Sequence, residues 1–403
     1  MDSNPSYPRP FELDPIVQLR IRPLLPLSPV PRIDNPPPLP SPPRTSLLDH
    51  AYSLSTHLVP AAYPRTTPDV PAPVLAFSAD KEKFKASVEE AVEHIIGARE
   101  KQWGGELAGE PSRTQLWCCV NRYVKKVTKA SSAGLEKGKP LTLFFAHANG
   151  FPKEIWEPTL KEFITLNAAS ASPLDIQEIW CWEAVNHGDG ALVNAEKLGG
   201  TYDWADNTRD ILHFLLHYLP SSPYAPPDAL PTHLTQLPNS VADSRRQFGF
   251  QGRTLVAVGH SFGGCTSYYA ALTVPALFSS LILVDPIIRP LRPERPLIIP
   301  TDHTKMTRNA VQRRAHWESR QEALRLFRTS PFFGAWRPDV LEMYVNCGIV
   351  EDPKGGVSLK MSGMLEGIVF SEALTTYEVW QLAPKLDERI ALKWIMPGQV
   401  PPE

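Results

Sequence analysis

Short apolar runs and amphipathic stretches alternate along the middle of the chain. Residues 140–146 form a continuous apolar run bounded by turn residues, as expected of a strand that is buried on both faces. Residues 203–219 instead repeat their apolar positions at helical spacing. The same two patterns predict further strands at 115–127, within 175–191, at 254–258 and at 280–286, and further helices at 78–97 and 153–166. Strands that alternate with helices predict a parallel α/β sheet with helices on both faces.

The alternation stops after residue 290. Residues 291–384 contain helical segments at 306–328 and 338–347 but no clear buried strand, and we interpret this stretch as a helical lid over the carboxyl edge of the sheet. Its aromatic residues either line an apolar acyl pocket or pack in the interior of the lid: Trp317, Phe327, Phe332, Phe333 and Trp336.

The remaining parts of the chain complete the predicted domain organisation. The core covers residues 74–290, and a returning core strand with a truncated C-terminus covers 385–403. Residues 1–73 are rich in proline, which fixes φ and removes an N–H donor. We therefore expect a largely disordered N-terminal tail, with a polyproline-type interaction segment as the alternative.

Charge, cysteines and motifs narrow the possible function classes. A net charge of −2 gives no reason to expect a nucleic-acid partner. The five cysteines form no Cys-x-x-Cys pair, so we expect free thiols in a reducing compartment. No apolar run is long enough to predict a membrane span. Without a phosphate-loop or His-Glu-x-x-His motif, we expect neither a cofactor nor a metal, and the pattern indicates no oligomeric state.

The stretch GHSFGG places Ser261 in a sharp turn between a predicted strand and a predicted helix. Gly259 and Gly263 supply the small residues that such a turn needs where strand and helix approach closely. The helix N-terminus adds positive potential at the point where an oxyanion would form. A serine in this position predicts nucleophilic attack on a carbonyl and acyl transfer. A glycine-rich turn without a chemical role is the alternative.

Three further residues lie directly after predicted strands. Asp285 ends the stretch LILVDP, so its carboxylate should reach the same sheet edge as Ser261 and orient a catalytic histidine. The alternative for Asp285 is a polar strand end that caps a turn. His147 begins the motif HANGFPKEIW, and His187 lies in VNHGDGA.

Five stretches between residues 55 and 289 carry a resemblance to a known family: STHLVPAAYPR, HANGFPKEIWEP, VNHGDGALVNAEKLGGTYDWADNTRDIL, GHSFGG and LILVDP. The chain resembles the α/β-hydrolase superfamily, in particular fungal serine hydrolases related to the peroxisomal lipase and to hydrolases of toxin biosynthesis. This resemblance implies the α/β-hydrolase fold and an esterase, lipase or thioesterase-like activity on a small acyl ester or thioester. It also implies an intracellular location, in the cytoplasm or the peroxisome.

The resemblance also assigns roles to residues. The backbone N–H groups of Asn149 and Phe262 would form the oxyanion hole, although Ala148 replaces a glycine of the family motif. His147 and His187 would be structural residues that hold their loops, with a role as the base left open for His147.

The catalytic base is missing from its expected place. In the family pattern the histidine follows a further helix and strand, beyond Gly398, whereas the chain after Asp285 contains only His303 and His316. We expect His303 to precede the first lid helix and His316 to lie within it. Three explanations stay open: a truncated copy, an inactive hydrolase-fold protein that binds a ligand, or a recruited lid histidine such as His303. We expect the chain as written to be weak or inactive.

Overall fold

A mainly parallel seven-stranded sheet forms the centre of the protein. The computed structural model describes residues 15–31, 33–76, 78–107, 111–126, 139–226, 229–293 and 301–398. The strand order is β1-β2-β4-β3-β5-β6-β10, in which only the pairs β1–β2 and β2–β4 are antiparallel. The strands are β1 (Tyr52–Pro60), β2 (Trp117–Lys125), β3 (Leu141–Ala146), β4 (Ile176–Glu183), β5 (Thr254–His260), β6 (Ser280–Val284) and β10 (Ala391–Ile395). The predicted α/β architecture, a mainly parallel sheet flanked by helices, is confirmed.

Helices cover both faces of this sheet and build the lid. Those of the core are α1 (Lys81–Trp103), α2 (Glu157–Ala169), α3 (Gly188–Val193), α4 (Trp204–His217), α5 (Asn239–Phe248) and α6 (Phe262–Thr273). Those of the lid region are α7 (Thr301–Gln312), α8 (Arg320–Thr329), α9 (Pro338–Gly348), α10 (Gly363–Phe370) and α11 (Leu374–Leu382). None of the helices in the described ranges is long and apolar enough to cross a membrane.

The central position of strand β3 explains why its residues are apolar apart from Thr142. It lies between β4 and β5, and successive side chains point to opposite faces of the sheet. Phe144 packs into the cluster beneath α4 and α6, where it meets Phe214, and Phe145 packs on the other face against Trp156. Burial on both faces therefore leaves β3 no position for a polar alternation.

The lid differs from the prediction of a purely helical insertion. A three-stranded antiparallel sheet, in the order β7-β9-β8, lies among its helices, with β7 at His316–Trp317, β8 at Ile349–Glu351 and β9 at Val357–Leu359. The helix predicted at 306–328 is accordingly divided into α7 and α8. Ser319 caps α8 by accepting a hydrogen bond from the Glu322 N–H. The helical periodicity of residues 306–328 runs across this cap, so the sequence analysis did not detect the start of a new helix.

The N-terminal segment also differs from the expected tail. Within its described part, β1 joins the main sheet, and Arg22 forms ion pairs at 2.8 Å with both Asp203, the N-cap of α4, and Glu378 on α11. Leu48 is fully buried. The prolines exclude a regular ladder from residues 15–51, but side-chain contacts attach this segment to the core. Residues 1–14 lie outside the described part of the chain.

His213 on α4 predicts a specific acid sensitivity of the core. Its ring is 2% exposed, and neither ring nitrogen has a hydrogen-bond partner among the described residues. Burial lowers the pKa of His213 to about 3, so the folded state keeps the ring neutral while the unfolded chain takes up a proton below about pH 6.5. This group therefore has no proton-linked cost above pH 6.5, and it destabilises the folded state by about 2 kcal/mol at pH 5.

We expect His213→Leu to unfold at a higher temperature than the wild type, with a larger difference at pH 5 than at pH 7.5. Thermal unfolding followed by circular dichroism at both pH values measures the effect. His94→Leu is the control, since His94 is exposed on α1. An equal shift of the His213→Leu melting temperature at both pH values would contradict the proposed protonation.

Candidate active site

Ser261 lies in a strained turn between β5 and α6. Its backbone has φ 52° and ψ −114°, a conformation that non-glycine residues rarely adopt. The turn is tight because a Cβ atom on Gly259 would lie 2.6 Å from the Gly263 carbonyl oxygen, and one on Gly263 would lie 2.4 Å from the His147 carbonyl oxygen. The two glycines thus allow the close approach that positions the serine at the carboxyl edge of the sheet.

The structure brings Asp285 to the same edge. His260 on β5 pairs with Val284 on β6, so the next residues of the two strands, Ser261 and Asp285, are neighbours across the sheet. Asp285 also has a positive φ, 42°, and its N–H donates to the Ile395 carbonyl of β10. Both candidate residues are partly exposed. Their strained backbones present two polar side chains at the end of a buried sheet.

Two backbone N–H groups beside Ser261 are available to a developing oxyanion. Within the described residues, neither the Asn149 N–H nor the Phe262 N–H donates a backbone hydrogen bond. The Gly263 N–H donates to the His147 carbonyl at 3.1 Å, which attaches the first turn of α6 to the loop that carries Asn149. The geometry is compatible with the predicted oxyanion hole, and the role of the two donors stays a prediction.

His147 and His187 are packed together behind this loop. Their ring centroids are 4.5 Å apart, and both side chains are buried. His147 Nδ1 donates to the Ala148 carbonyl at 2.8 Å, and its Nε2 accepts from the Ala184 N–H. Burial lowers the pKa of His147 to about 4 and that of His187 well below its usual value. Because both nitrogens of His147 are occupied, the geometry favours the loop-holding role over the role of a base.

The side chain of Asn149 connects the loop to the lid. Its Nδ2 donates to the Glu366 carbonyl of α10 at 3.1 Å, so its Oδ1 accepts from His187 Nε2 at the same distance. The Glu366 carboxylate also approaches the loop, since a Cβ atom on Gly150 would lie 2.8 Å from its Oε1. Arg313 of the lid pairs with Glu366 at 2.6 Å. The lid thus contacts the backbone and side chains of the candidate oxyanion loop directly.

A buried charge network supports the loop from the other side, and the sequence analysis missed it. Lys153 Nζ lies 2.7 Å from Asp189, 3.1 Å from Glu154 and 3.2 Å from Glu183. Lys360 of the lid also pairs with Asp189, at 2.6 Å. Burial alone would lower the pKa of Lys153, but the surrounding carboxylates raise it well above its usual value. The motifs HANGFPKEIW and VNHGDGA contained a sequence signal for this network, because Lys153, Glu154 and Asp189 are charged residues that follow buried apolar strands.

The two histidines after Asp285, His303 and His316, lie on other secondary-structure elements than the sequence predicted. His303 is inside α7, not before it, and its Nδ1 donates to the Phe370 carbonyl at 2.7 Å. His316 lies on strand β7, not in a helix, and its Nδ1 is 3.4 Å from the Asp352 carboxylate. In the described ranges, neither the Ser261 hydroxyl nor the Asp285 carboxylate has a hydrogen-bond partner. No group of three or more described His, Cys, Asp or Glu side chains could hold a metal ion.

The sequence analysis overlooked His260, which lies beside the candidate active site. It directly precedes Ser261, and its ring lies among aromatic side chains, with the Phe151 centroid at 5.9 Å and the Trp156 centroid at 6.4 Å. Burial lowers the pKa of His260, whereas the charge of Asp285 raises it. A group of aromatic rings formed by His260, Phe151 and Trp156 therefore lies next to Ser261.

Comparisons with known proteins found a matching family and several similar proteins. A sequence model described as the alpha/beta hydrolase family matches residues 143–346. The type I acyl-CoA thioesterase mpaH of Penicillium brevicompactum is 29% identical over 234 residues, which cover 58% of this chain and 44% of that relative. The peroxisomal membrane protein LPX1 of Saccharomyces cerevisiae is 25% identical over 216 residues, covering 51% of this chain and 48% of LPX1. The chain thus spans about half the length of the curated relatives it matches.

A solved structure shows the same fold. The peroxisomal alpha-beta-hydrolase Lpx1 of Saccharomyces cerevisiae matches with a TM-score of 0.56 and 18% sequence identity. The match covers 87% of this chain and 83% of Lpx1.

Proposed function

Because the chain belongs to the alpha/beta hydrolase family, we propose that it hydrolyses small acyl esters or thioesters with Ser261 as the nucleophile. The observation that carries this proposal is the strained Ser261 at the junction of β5 and α6, with Asp285 beside it at the end of β6. Strain of this kind persists only where the surrounding structure imposes it, and it is concentrated at functional sites.

The chemistry follows from this arrangement. The Ser261 hydroxyl oxygen would attack the acyl carbonyl carbon and give its proton to a base, while the carbonyl oxygen becomes an oxyanion. The N–H groups of Asn149 and Phe262 would stabilise that oxyanion, together with the N-terminal dipole of α6. Collapse expels the alcohol or thiol, which takes up the proton, and leaves Ser261 acylated. Water then hydrolyses this acyl-enzyme.

The base limits the expected rate. Asp285 is placed to orient a histidine, yet no described histidine is hydrogen-bonded to Ser261 or to Asp285. We therefore expect slow turnover from these residues, because a serine hydroxyl without a positioned base is a weak nucleophile at neutral pH.

The relatives support the substrate class and the location that we propose. The name of mpaH describes a thioesterase of acyl-CoA, and LPX1 is named as a peroxisomal protein. We propose that this chain likewise acts on an acyl thioester or ester inside the cell, in the cytoplasm or the peroxisome.

A second candidate is a hydrolase-fold protein that binds a ligand without turning it over. The observation that favours it is the absence of a hydrogen-bond partner for Ser261 and Asp285 within the described ranges. In this case the strained turn would be retained from a catalytic ancestor, and the lid would enclose a ligand without acylation of the serine.

Fluorophosphonate labelling of the purified chain distinguishes the two candidates. We expect slow labelling of the wild type, no labelling of Ser261→Ala, and wild-type behaviour of Ser240→Ala, whose serine is exposed on α5. Labelling that survives Ser261→Ala would exclude Ser261 as the nucleophile. Complete absence of labelling from a wild-type chain with a cooperative thermal transition would favour the binding protein.

A further inference from the structure

A small cavity lies under the lid helix α10, separate from the candidate active site. Its volume is about 40 Å³, and its described lining residues do not include Ser261, Asp285 or Asn149. Leu365 and Ile368 of α10 close it from the side of the lid. The other lining residues come from three segments of the core, within 65–69, 112–116 and 186–202. The cavity therefore lies where the lid meets parts of the core that the proposed reaction does not use.

Two buried hydrogen-bond donors in the wall of this cavity have no partner. Arg65 is 2% exposed and Tyr202 is 5% exposed. Arg65 directs Nη1 at Asp210 and Nε at Asp206, both on α4, whereas its Nη2 has no hydrogen-bond partner among the described residues. The Tyr202 hydroxyl likewise has no partner there. Because buried donors are rarely left unpaired in folded proteins, these two indicate an occupant that accepts hydrogen bonds.

The cavity reaches the surface beside one cation and one anion, Lys197 and Asp69, which both line it and are both exposed. The Asp69 carboxylate accepts hydrogen bonds from the hydroxyls of Ser112 at 2.5 Å and Thr114 at 3.5 Å. Lys197 has no ion-pair partner in the described ranges, and its Nζ lies 3.5 Å from the Gln115 carbonyl oxygen. An anion that enters the cavity thus meets an unpaired cation at the mouth.

The volume of the cavity restricts the size of an occupant. One water needs about 10–15 Å³ of such a space, so the cavity holds about three or four non-hydrogen atoms. Formate and acetate have this size, and their oxygens accept charge-assisted hydrogen bonds. Asp206 and Asp210 already neutralise Arg65, so Arg65 supplies a donor and Lys197 supplies the attraction for a negative charge.

We propose that this cavity binds a small carboxylate of the size of formate or acetate. Arg65 Nη2 and the Tyr202 hydroxyl donate to the carboxylate oxygens, and Lys197 attracts the anion at the mouth. The inference does not rest on the proposed function, because no candidate catalytic or oxyanion-hole residue takes part in this binding.

A bound carboxylate should also stabilise the lid on the loop of Asn149. Leu365 and Ile368 line the cavity on either side of Glu366, whose carbonyl accepts from Asn149 Nδ2 at 3.1 Å. An occupant gives α10 a further contact with the core, so binding of the carboxylate and attachment of α10 to the loop favour each other. We therefore expect acetate to slow the hydrogen exchange of backbone amides in residues 363–370.

Titration with sodium acetate, followed by saturation-transfer NMR at an ionic strength held constant with sodium chloride, measures the binding. The wild type should bind acetate, and Tyr202→Phe should weaken this binding about tenfold, because it removes one hydrogen bond to a charged group. Lys197→Met should weaken binding about twofold, since the lost charge is exposed. Tyr218→Phe is the matched control, because Tyr218 is also buried but is not among the described lining residues.

Absence of acetate binding to the wild type would mean that the cavity holds water only, and it would overturn the proposal. Binding that is unchanged in both Tyr202→Phe and Lys197→Met would place acetate elsewhere on the protein, with the same consequence. If Tyr202→Phe does not fold, Lys197→Met still decides the result, because Lys197 is exposed and its replacement should leave the fold intact.

Two further measurements separate this site from the lid and from the hydrolase. Unchanged hydrogen exchange in residues 363–370 at saturating acetate would reject the effect on the lid and retain the binding site. Fluorophosphonate labelling reports on Ser261 independently. Labelled Ser261 without acetate binding rejects this inference alone, whereas acetate binding without labelling retains the cavity site and rejects the hydrolase.

Discussion

A Gly263→Ala variant is expected to be strongly destabilised and to lose any reactivity of Ser261. The added Cβ would lie 2.4 Å from the His147 carbonyl oxygen and 2.6 Å from the Ala146 carbonyl oxygen. Both atoms belong to the backbone at the end of the central strand β3, so no side-chain rotation can relieve the overlap. Either α6 withdraws from the sheet or β3 shifts, and both responses disturb the turn that carries Ser261. We expect a cost of about 3–5 kcal/mol.

Urea unfolding followed by fluorescence measures this cost, and fluorophosphonate labelling measures the reactivity. Gly97→Ala is the control, because a Cβ atom there meets nothing within 4 Å and the residue lies inside α1. Alanine should stabilise that helix by about 0.5–1 kcal/mol. A Gly263→Ala protein with the unfolding midpoint of the wild type would show that the turn has more room than the structure indicates.

We expect Lys153→Met to lower the free energy of unfolding about as much as Gly263→Ala does, because it removes a buried charge. Lys153 is fully buried and lies within 3.2 Å of Asp189, Glu154 and Glu183. Methionine approximates its length but leaves these carboxylates without their shared cation. Removal of one partner from a buried ion pair typically costs about 3–5 kcal/mol, because the remaining charge stays desolvated.

The stability lost in Lys153→Met should be larger at high pH than at low pH. Burial already raises the pKa of Glu183 to about 7, although Lys153 opposes this shift. Without Lys153 the folded-state pKa rises further above the unfolded value of 4.5, so the penalty is full at high pH and falls as protonation neutralises the carboxyl. We expect the difference in melting temperature between variant and wild type to be larger at pH 8 than at pH 6.

Lys161→Met is the matched control, since Lys161 is exposed on α2 and its replacement should change the melting temperature little. If Lys153→Met unfolds like Lys161→Met at both pH values, the network contributes nothing to stability. If the deficit of Lys153→Met is large but independent of pH, the cause is packing and not charge.

Local patterns in the sequence were sufficient to predict the fold and to place Ser261 and Asp285 at the ends of the correct strands, although His303 and His316 were assigned to the wrong elements. The apolar run of β3, the strand–glycine–helix order around Ser261 and the strand end at Asp285 are each decided within about ten residues. Parallel strands bring their carboxyl ends to one edge, so Ser261 and Asp285 had to be neighbours if the two strands were adjacent. The structure has them on neighbouring strands.

Contacts between distant parts of the chain could not be predicted in this way. Asn149 bonds to the Glu366 carbonyl, 217 residues later, and neither residue carries a periodic signal for the other. The lid sheet was missed because β7 has only two residues and β9 only three, too few to show an alternation. The spacing of the lid's aromatic residues did not show which rings are buried, and only the folded structure distinguishes Trp317, 2% exposed, from Phe332, 66% exposed.

The ion pairs of Arg22 affect the order in which parts of the chain fold during synthesis. Its partner Asp203 lies 181 residues later in the chain, and its partner Glu378 lies 356 residues later. The segment around Arg22 leaves the ribosome early but cannot complete its ion pairs until α11 has been made. We therefore expect attachment of this segment to be a late step of folding, and its long loop closure to be slow compared with the formation of the sheet. A nascent chain halted between residues 203 and 378 would contain Asp203 but not Glu378, so this attachment would be incomplete.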